Sequence, residues 1–321
     1  MYLNITPLPN VASLRAINEI DSGWFDPDTD IDADHNYGIQ SNPTDFFLYT
    51  RNKPMVATEI KAQYQSVEHS GFDSSKPTYI IIHGWISSYT SEYIQVIPHA
   101  ILKAFDCNVI LVDWARARTW NYVAAVVAIP GVASNIADMI DFLNDKFSLP
   151  FATLTLSGHS LGAHVAGTTG KKVKNGKIHT IVGLDAAKPL FFYDKPDERL
   201  AITDAVYVQA IHTNAGELGF VKPIANADFY INGGSYQPGC QEFGCSHLRS
   251  AYYYAEVFEL NDFGAIACEN SIQAKTKNCG YMFSGVRMGA RDAQYEVNGI
   301  YYVPVRSSYP YGITEVTIVQ E

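Results

Sequence analysis

Hydrophobic positions along this chain alternate between short unbroken apolar runs and longer stretches in which apolar residues return every three or four positions. Residues 45–51, Asp-Phe-Phe-Leu-Tyr-Thr-Arg, predict a first strand, ended by Asn52-Lys53-Pro54. Residues 77–83 and 107–113 are continuous apolar runs, as in strands buried on both faces of a mostly parallel sheet. Between them, residues 93–105 read as a crossover helix. Residues 132–147 read as a second, with Ile136, Met139, Ile140 and Leu143 on one face. Residues 152–156 form a further short strand, followed by a helix to about residue 172, and residues 177–184 and 205–211 supply two more buried strands. Strand and helix alternate through the first two thirds, which predicts an α/β sheet with helices on both faces.

After His212 the pattern becomes irregular and rich in glycine and aromatics, with a helix expected at residues 248–260 and strands near 280–289 and 295–305. No linker or repeat interrupts the chain, so a single domain spanning residues 1–321 is expected, with an irregular segment at residues 1–43. That segment carries a glycosylation sequon at Asn4-Ile5-Thr6. Its alternating Asp26, Asp28, Asp30, Asp32 and Asp34 resemble the start of a calcium loop. Ile31 replaces the required glycine and Tyr37 the closing glutamate, so a solvated loop is expected.

Charge narrows the function. A net charge of −10 over 321 residues argues against nucleic acid and against electrostatic capture by anionic membranes, so any lipid contact should be apolar. No stretch has the length and apolarity of a membrane span, and residues 1–14 lack the basic and apolar regions of a signal peptide. Of the five cysteines, Cys240, Cys245, Cys268 and Cys279 fall into two close pairs, as local disulfide loops would. The expectation is an oxidising, extracellular location with the signal removed, and a buried free thiol at Cys107.

The candidate chemistry centres on Gly158-His159-Ser160-Leu161-Gly162. An apolar strand precedes this G-x-S-x-G pattern and small residues follow it, the context of a strained strand–turn–helix elbow that exposes a nucleophilic serine. A serine hydroxyl needs a histidine base oriented by a carboxylate, and on this fold type the order is serine, acid, histidine. Asp185 ends the next strand, where the acid should stand. Asp113 precedes the serine and Asp204 begins a strand, so both fit other roles. His212 and His247 are the two histidines after Asp185; spacing favours His247, in a loop that a disulfide could fix, over His212, which fits a structural role at a strand end, without settling which is the base. His83, His159 and His164 fit packing or hydrogen bonding. The oxyanion needs two N–H donors: Leu161 supplies one, and Trp85, in the His83-Gly84-Trp85 turn after a buried strand, supplies the other.

These residues resemble the animal pancreatic-lipase-like family, especially its insect phospholipase A1 and midgut neutral lipase branch. The similarity runs from about residue 45 to 311. It is carried by Phe47-Leu-Tyr-Thr-Arg51, Ile82-His-Gly-Trp85, Val112-Asp-Trp114, Ile140-Asp-Phe-Leu143, the elbow through Gly167, Gly183-Leu-Asp185, Ile211-His-Thr213, Asp228-Phe-Tyr230, Gly233-Gly234, Pro238-Gly-Cys240 and Cys245-Ser-His247. The resemblance implies an α/β-hydrolase fold with Ser160 as nucleophile, Asp185 as acid and His247 as base, and with Trp85 and Leu161 as oxyanion donors. It also implies Cys240–Cys245 and Cys268–Cys279 disulfides.

Several departures refine this. Leu184-Asp185-Ala186-Ala187 replaces the family's Leu-Asp-Pro-Ala. Arg199 and Asp204 match residues that hold calcium in some relatives, but Pro196 and Ala201 stand where two acids would, which implies no metal and no cofactor. No C-terminal β-sandwich follows, so no colipase-type partner is expected. Only Gln-Glu-Phe-Gly lies between Cys240 and Cys245, in place of a long lid, and residues 214–227 are short as well. In relatives this accompanies phospholipase or galactolipase activity.

The implied function is a secreted serine ester hydrolase acting on phospholipid or galactolipid at a lipid surface, with Phe243, Trp85 and Phe220 rimming an open site. The alternatives are a triacylglycerol lipase, or a silent lipid-binding protein like the insect yolk proteins. The run Lys171-Lys-Val-Lys-Asn-Gly-Lys177 reads as a solvated helix end.

Overall fold

A computed structural model describes residues 43–289, 291 and 296–314. The sequon at Asn4 and the aspartate run at residues 26–34 lie outside these residues. In chain order the elements are β1 (Thr44–Thr50), β2 (Lys53–Ile60), α1 (Tyr64–Glu68), β3 (Thr78–Ile82), α2 (Glu92–Ala104), β4 (Asn108–Trp114), α3 (Tyr122–Phe147), β5 (Leu154–His159), α4 (Leu161–Lys172), β6 (Thr180–Leu184), β7 (Tyr207–His212), β8 (Ala227–Ile231), α5 (Cys245–Glu259), β9 (Ile266–Cys268), α6 (Ser271–Thr276) and β10 (Gly299–Val303).

All ten strands join one sheet in the order β2-β1-β4-β3-β5-β6-β7-β8-β10-β9. The block β4-β3-β5-β6-β7-β8-β10 is parallel throughout, while β1 runs antiparallel to both its neighbours and β9 antiparallel to β10. β3, β4, β5, β6 and β7 are buried at every position, which is why they read as unbroken apolar runs. Helices α3 and α4 pack together and close one core around Ile80, Ile110, Ile136 and Leu156. Helices α2 and α5 close the other around Ile81, Ile97, Val182 and Phe258. The carboxyl ends of β3, β5, β6 and β7 converge at one edge, where ligands bind on open α/β sheets.

Four parts of the chain differ from the sequence expectations. The chain does not leave the sheet at Asn52-Lys53-Pro54 but turns back as β2, an edge strand on which a proline costs no ladder bond. Helix α3 begins at Tyr122, ten positions before the expected start, and runs through Pro130, so that, against the sequence reading, this helix is long and apolar enough to cross a membrane by length and composition, with 50% of its most apolar window buried in the core. Asn121 caps it by accepting from Ala124 N–H at 3.0 Å, and Pro130 lies on the exposed face, where water can satisfy the freed carbonyl. Residues 280–289 form no strand, only a single bridge from Arg287 to Gly264. Finally, Ala227–Ile231, unassigned from the pattern, is a fully buried strand between β7 and β10.

Candidate active site

β5 ends at His159 and α4 begins at Leu161, leaving Ser160 alone at the turn with φ 57° and ψ −121°. A non-glycine residue in this region is strained, and the strain holds because the surroundings leave no alternative. A Cβ on Gly158 would lie 2.1 Å from the Gly162 carbonyl oxygen, and one on Gly162 would lie 2.3 Å from that of Ile82. Ser160 N–H donates to Leu184 O at 3.0 Å, and Ser160 O accepts from Ala187 N–H at 3.3 Å, so the turn is tied to the chain around Asp185.

Asp185 follows β6, fully buried, with φ +46° and its N–H bonded to Ile211 O at 2.8 Å. Its Oδ1 accepts from the backbone N–H groups of Thr213 and Asn214 at 2.8 and 2.9 Å, and its Oδ2 contacts His247 Nδ1 at 2.5 Å. Two backbone donors on one oxygen leave the other to the imidazole, so the carboxylate is aimed at His247. His247 sits in the first turn of α5, directly after the Cys240–Cys245 disulfide, and Gly244 caps that helix at φ +80°. The His247 carbonyl accepts from His159 Nε2–H at 3.2 Å and from Ser250 Oγ at 2.8 Å, which brings His247 onto the residue next to Ser160. The His159 ring lies 4.5 Å from that of His247, and burial, reinforced by His247, pushes its pKa well below the ordinary histidine value. His159 therefore stays neutral beside His247.

The two histidines left open by spacing have separate partners. Asp185 reaches His247. His212 instead bonds Asp228 Oδ1 at 2.8 Å and Phe220 O at 3.0 Å, and stacks on Tyr230. Asp228 also accepts from Ile224 and Ala225 N–H, so this pair braces the loop that presents Thr213 and Asn214 to Asp185. Gln237 helps from below, donating from Nε2 to Thr213 O and Ile231 O at 2.9 and 2.8 Å.

The Trp85 turn abuts the elbow: a Cβ on Gly84 would lie 2.8 Å from Ser160 Cβ. Leu161 N–H, first in its helix, has no intrahelical acceptor. Among the described residues the Trp85 N–H also has no acceptor. The Trp85 ring is half-buried, packs edge-on against Tyr122 at 5.1 Å, and donates Nε1–H to Thr119 O at 2.7 Å.

Of the expected rim residues, Phe243 is partly exposed in the short disulfide loop. Phe220 is not at the surface. It is 5% exposed, set edge-on to His164 and 5.4 Å under the Arg199 guanidinium, because its N–H bonds Ala186 O and draws the segment inward. His164, read as a hydrogen-bonding residue, bonds Ala187 O at 2.7 Å and accepts from Leu200 N–H, and burial pushes its pKa down to about 3. Cys268–Cys279 is the second disulfide, and Cys107 is a buried free thiol whose pKa burial pushes up to about 12.

A calcium ion does not fit beside Asp204. One carboxylate oxygen holds Lys171 Nζ at 2.5 Å, the other Ala201 N–H at 2.8 Å, and the same ammonium bonds Arg199 O at 2.9 Å. A lysine already supplies the positive charge. Among the described residues no three acidic, histidine or cysteine side chains cluster as a metal site.

A parallel sheet flanked by helices, with a strained serine elbow and a buried Asp–His pair at its carboxyl edge, defines the α/β-hydrolase fold. The chain belongs to the Lipase family, whose model matches residues 25–311. It is 34% identical over 281 residues to phospholipase A1 4 of Polistes dominula, covering 81% of this chain and 86% of that protein. It is 38% identical over 256 residues to a phospholipase A1 of Vespa crabro, covering 74% and 83%. A solved phospholipase/carboxylesterase from Dyadobacter fermentans matches with a TM-score of 0.36 and 9% identity over 56% of this chain and 77% of that one.

Proposed function

We propose that this protein is a secreted serine carboxylic-ester hydrolase of phospholipase A1 type, and that Ser160, Asp185 and His247 carry the reaction. The observation that carries the reading is the Asp185–His247 contact set beside the Ser160 elbow. Because His247 Nδ1 is committed to Asp185, Nε2 is the nitrogen that takes the Ser160 proton as Oγ attacks the ester carbonyl carbon. The carbonyl oxygen, now an anion, takes hydrogen bonds from Trp85 and Leu161 N–H. Collapse of this intermediate breaks the ester C–O bond, and the leaving lysolipid oxygen takes the proton back from Nε2. A water, deprotonated by the same nitrogen, attacks the acyl-serine, and collapse releases the fatty acid and restores Ser160.

Two features support a polar lipid presented at a surface. The loop closed by Cys240 and Cys245 holds four residues, of which Gln241 and Glu242 are exposed, too short an element to cover the cleft. A head group can then remain in water, which a sealed apolar tunnel would have to strip at a cost of several kcal/mol. Beside the Trp85 turn, the start of α3 and the residue Trp120 just before it are exposed and uncharged: Trp120, Val123 and Val127 are 62, 39 and 73% exposed, and no charged residue occurs from Trp120 to Ala137. A solvated helix face is ordinarily charged, so this ridge suits contact with lipid. The two disulfides support an oxidising, extracellular location.

The test is hydrolysis of phosphatidylcholine carrying different acyl chains at its two ester positions, against triacylglycerol, with Ser160→Ala as control. The expected result is release of the sn-1 chain, a phospholipid rate above the triacylglycerol rate, and no jump in rate when a short-chain ester passes its solubility limit. A strong triacylglycerol preference with such a jump would instead indicate a lidded triacylglycerol lipase. No Ser160-dependent release from any lipid would leave the silent lipid-binding reading.

A further inference from the structure

We propose that His83 is a positioning residue that fixes the Gly84–Trp85 peptide with its N–H toward the reacting carbonyl; this rests on the assignment of Trp85 as an oxyanion donor. His83 is fully buried behind the site and its ring is held on both sides. Nδ1 bonds Gly84 O at 2.9 Å, and Nε2 bonds Asp113 Oδ1 at 2.9 Å. Since a carbonyl oxygen only accepts, Nδ1 carries the hydrogen in that contact. Asp113 is itself anchored by Arg118 at 2.6 Å and by Tyr89 N–H at 3.3 Å, and the His83 carbonyl accepts from Trp114 Nε1–H at 2.9 Å.

The Gly84–Trp85 peptide is trans, so its C=O and N–H point in opposite directions. Holding the Gly84 oxygen on the His83 side therefore presents the Trp85 N–H on the other. Glycine is required at residue 84 because a Cβ there would meet Ser160 Cβ at 2.8 Å and His159 O at 3.0 Å. The same lack of a side chain gives this peptide the backbone freedom to flip. The neighbouring anchors, Ile86 N–H to Ala117 O and Trp85 Nε1–H to Thr119 O, do not touch the Gly84 carbonyl. His83 Nδ1–H is the contact that selects between the two orientations. A flipped peptide would aim a carbonyl oxygen at the developing oxyanion, and the bond to Nδ1–H also polarises the peptide so that its N–H donates more strongly.

Two near-isosteric variants separate this role from simple packing. In His83→Asn the amide nitrogen falls where Nδ1 stands, keeping the bond to Gly84 O and losing the one to Asp113. In His83→Gln the amide nitrogen falls where Nε2 stands, keeping Asp113 and losing Gly84. With a soluble butyrate ester, kcat of His83→Asn is expected within about tenfold of wild type. His83→Gln should fall by roughly 10²–10³ with KM little changed, as when one oxyanion donor is lost. Affinity for an alkyl boronic acid, whose tetrahedral adduct needs the same donors, should fall in parallel for His83→Gln only. Melting temperatures report the structural contribution of each change. Equal kcat for the two variants, or losses that follow melting temperature while boronate affinity stays constant, would overturn the proposal. Ser160→Ala distinguishes the two levels: if it keeps its activity, the reading of the site fails, and if it is inactive while the two His83 variants match, only the role of His83 fails.

Discussion

Replacing Gly219 with alanine would set a methyl carbon 2.4 and 2.6 Å from the two carboxylate oxygens of Asp185. Restoring even a 3.0 Å contact requires one partner to move by about 0.6 Å, the shortfall from 2.4 Å. Gly219 cannot readily give way. Its N–H is bonded to Asn214 O at 3.0 Å, its carbonyl accepts from Gly216 N–H at 3.0 Å, and the residues either side are tied to Lys188 and Ala186 at 2.8 Å. The carboxylate must retreat instead, from His247 Nδ1 at 2.5 Å and from the Thr213 and Asn214 N–H groups. Each hydrogen bond to a charged group that is lost costs about 1.5–3 kcal/mol. A misplacement approaching 1 Å costs about 10² in rate, and full loss of the orienting acid about 10⁴. We expect kcat on a soluble ester to fall by roughly 10²–10⁴ with KM changed little, because the atoms nearest a Cβ on Gly219 are those of the Asp185 carboxylate. Steady-state kinetics alongside a melting curve measure this. A folded variant with kcat within threefold of wild type would refute the claim that the Asp185 pocket is rigid.

Three further outcomes follow from the same geometry. His247→Ala should abolish soluble-ester hydrolysis, by on the order of 10⁴ or more, whereas His212→Ala should act mainly through a lower melting temperature; the reverse ranking, read by kcat, would overturn the assignment of the base. A chelator should leave hydrolysis of a soluble ester unchanged, since Lys171 already neutralises Asp204; inhibition that added calcium reverses would contradict this. Burial pushes the Glu256 carboxyl up to about 7 from its ordinary 4.5, with Asp262 alongside. The folded state then binds more protons than the unfolded one, so stability present at acid pH is lost as pH rises from about 4.5 to about 7. Glu256→Gln, which can still accept from Gly312 N–H, should flatten that slope and raise the melting temperature at pH 8; a lower one would show that the carboxylate itself is needed.

The central strands were legible because burial on both faces leaves an uninterrupted apolar run, as in β3, β4 and β6. β2 was not, since an edge strand with Lys53, Pro54, Met55 and Val56 exposed looks like a loop. Pro130-Gly131 hid the first turns of α3 because a proline on an exposed helix face is locally indistinguishable from a helix stop. At the site, the Ser160 elbow and Asp185 could be read because strand-end position and spacing survive in one dimension. Spacing favours His247 over His212 but does not settle the choice, since it depends on which carboxylate each one meets. Phe220, Gly219 and His83 follow the same rule. Their surroundings, Arg199, the Asp185 carboxylate and Asp113, come from strands and loops that become neighbours only when the sheet is ordered.

The most direct test of the account is covalent trapping. An alkyl phosphonate ester phosphonylates an activated serine, expelling its leaving group, and the adduct mimics the tetrahedral intermediate. Incubated with the purified protein, it should add one phosphonyl group, located by peptide mass spectrometry on Ser160. Ester hydrolysis should be lost in proportion to labelling, and His247→Ala should label far more slowly. Full labelling of Ser160 with activity retained, or loss of activity with the label on another residue, would contradict the account.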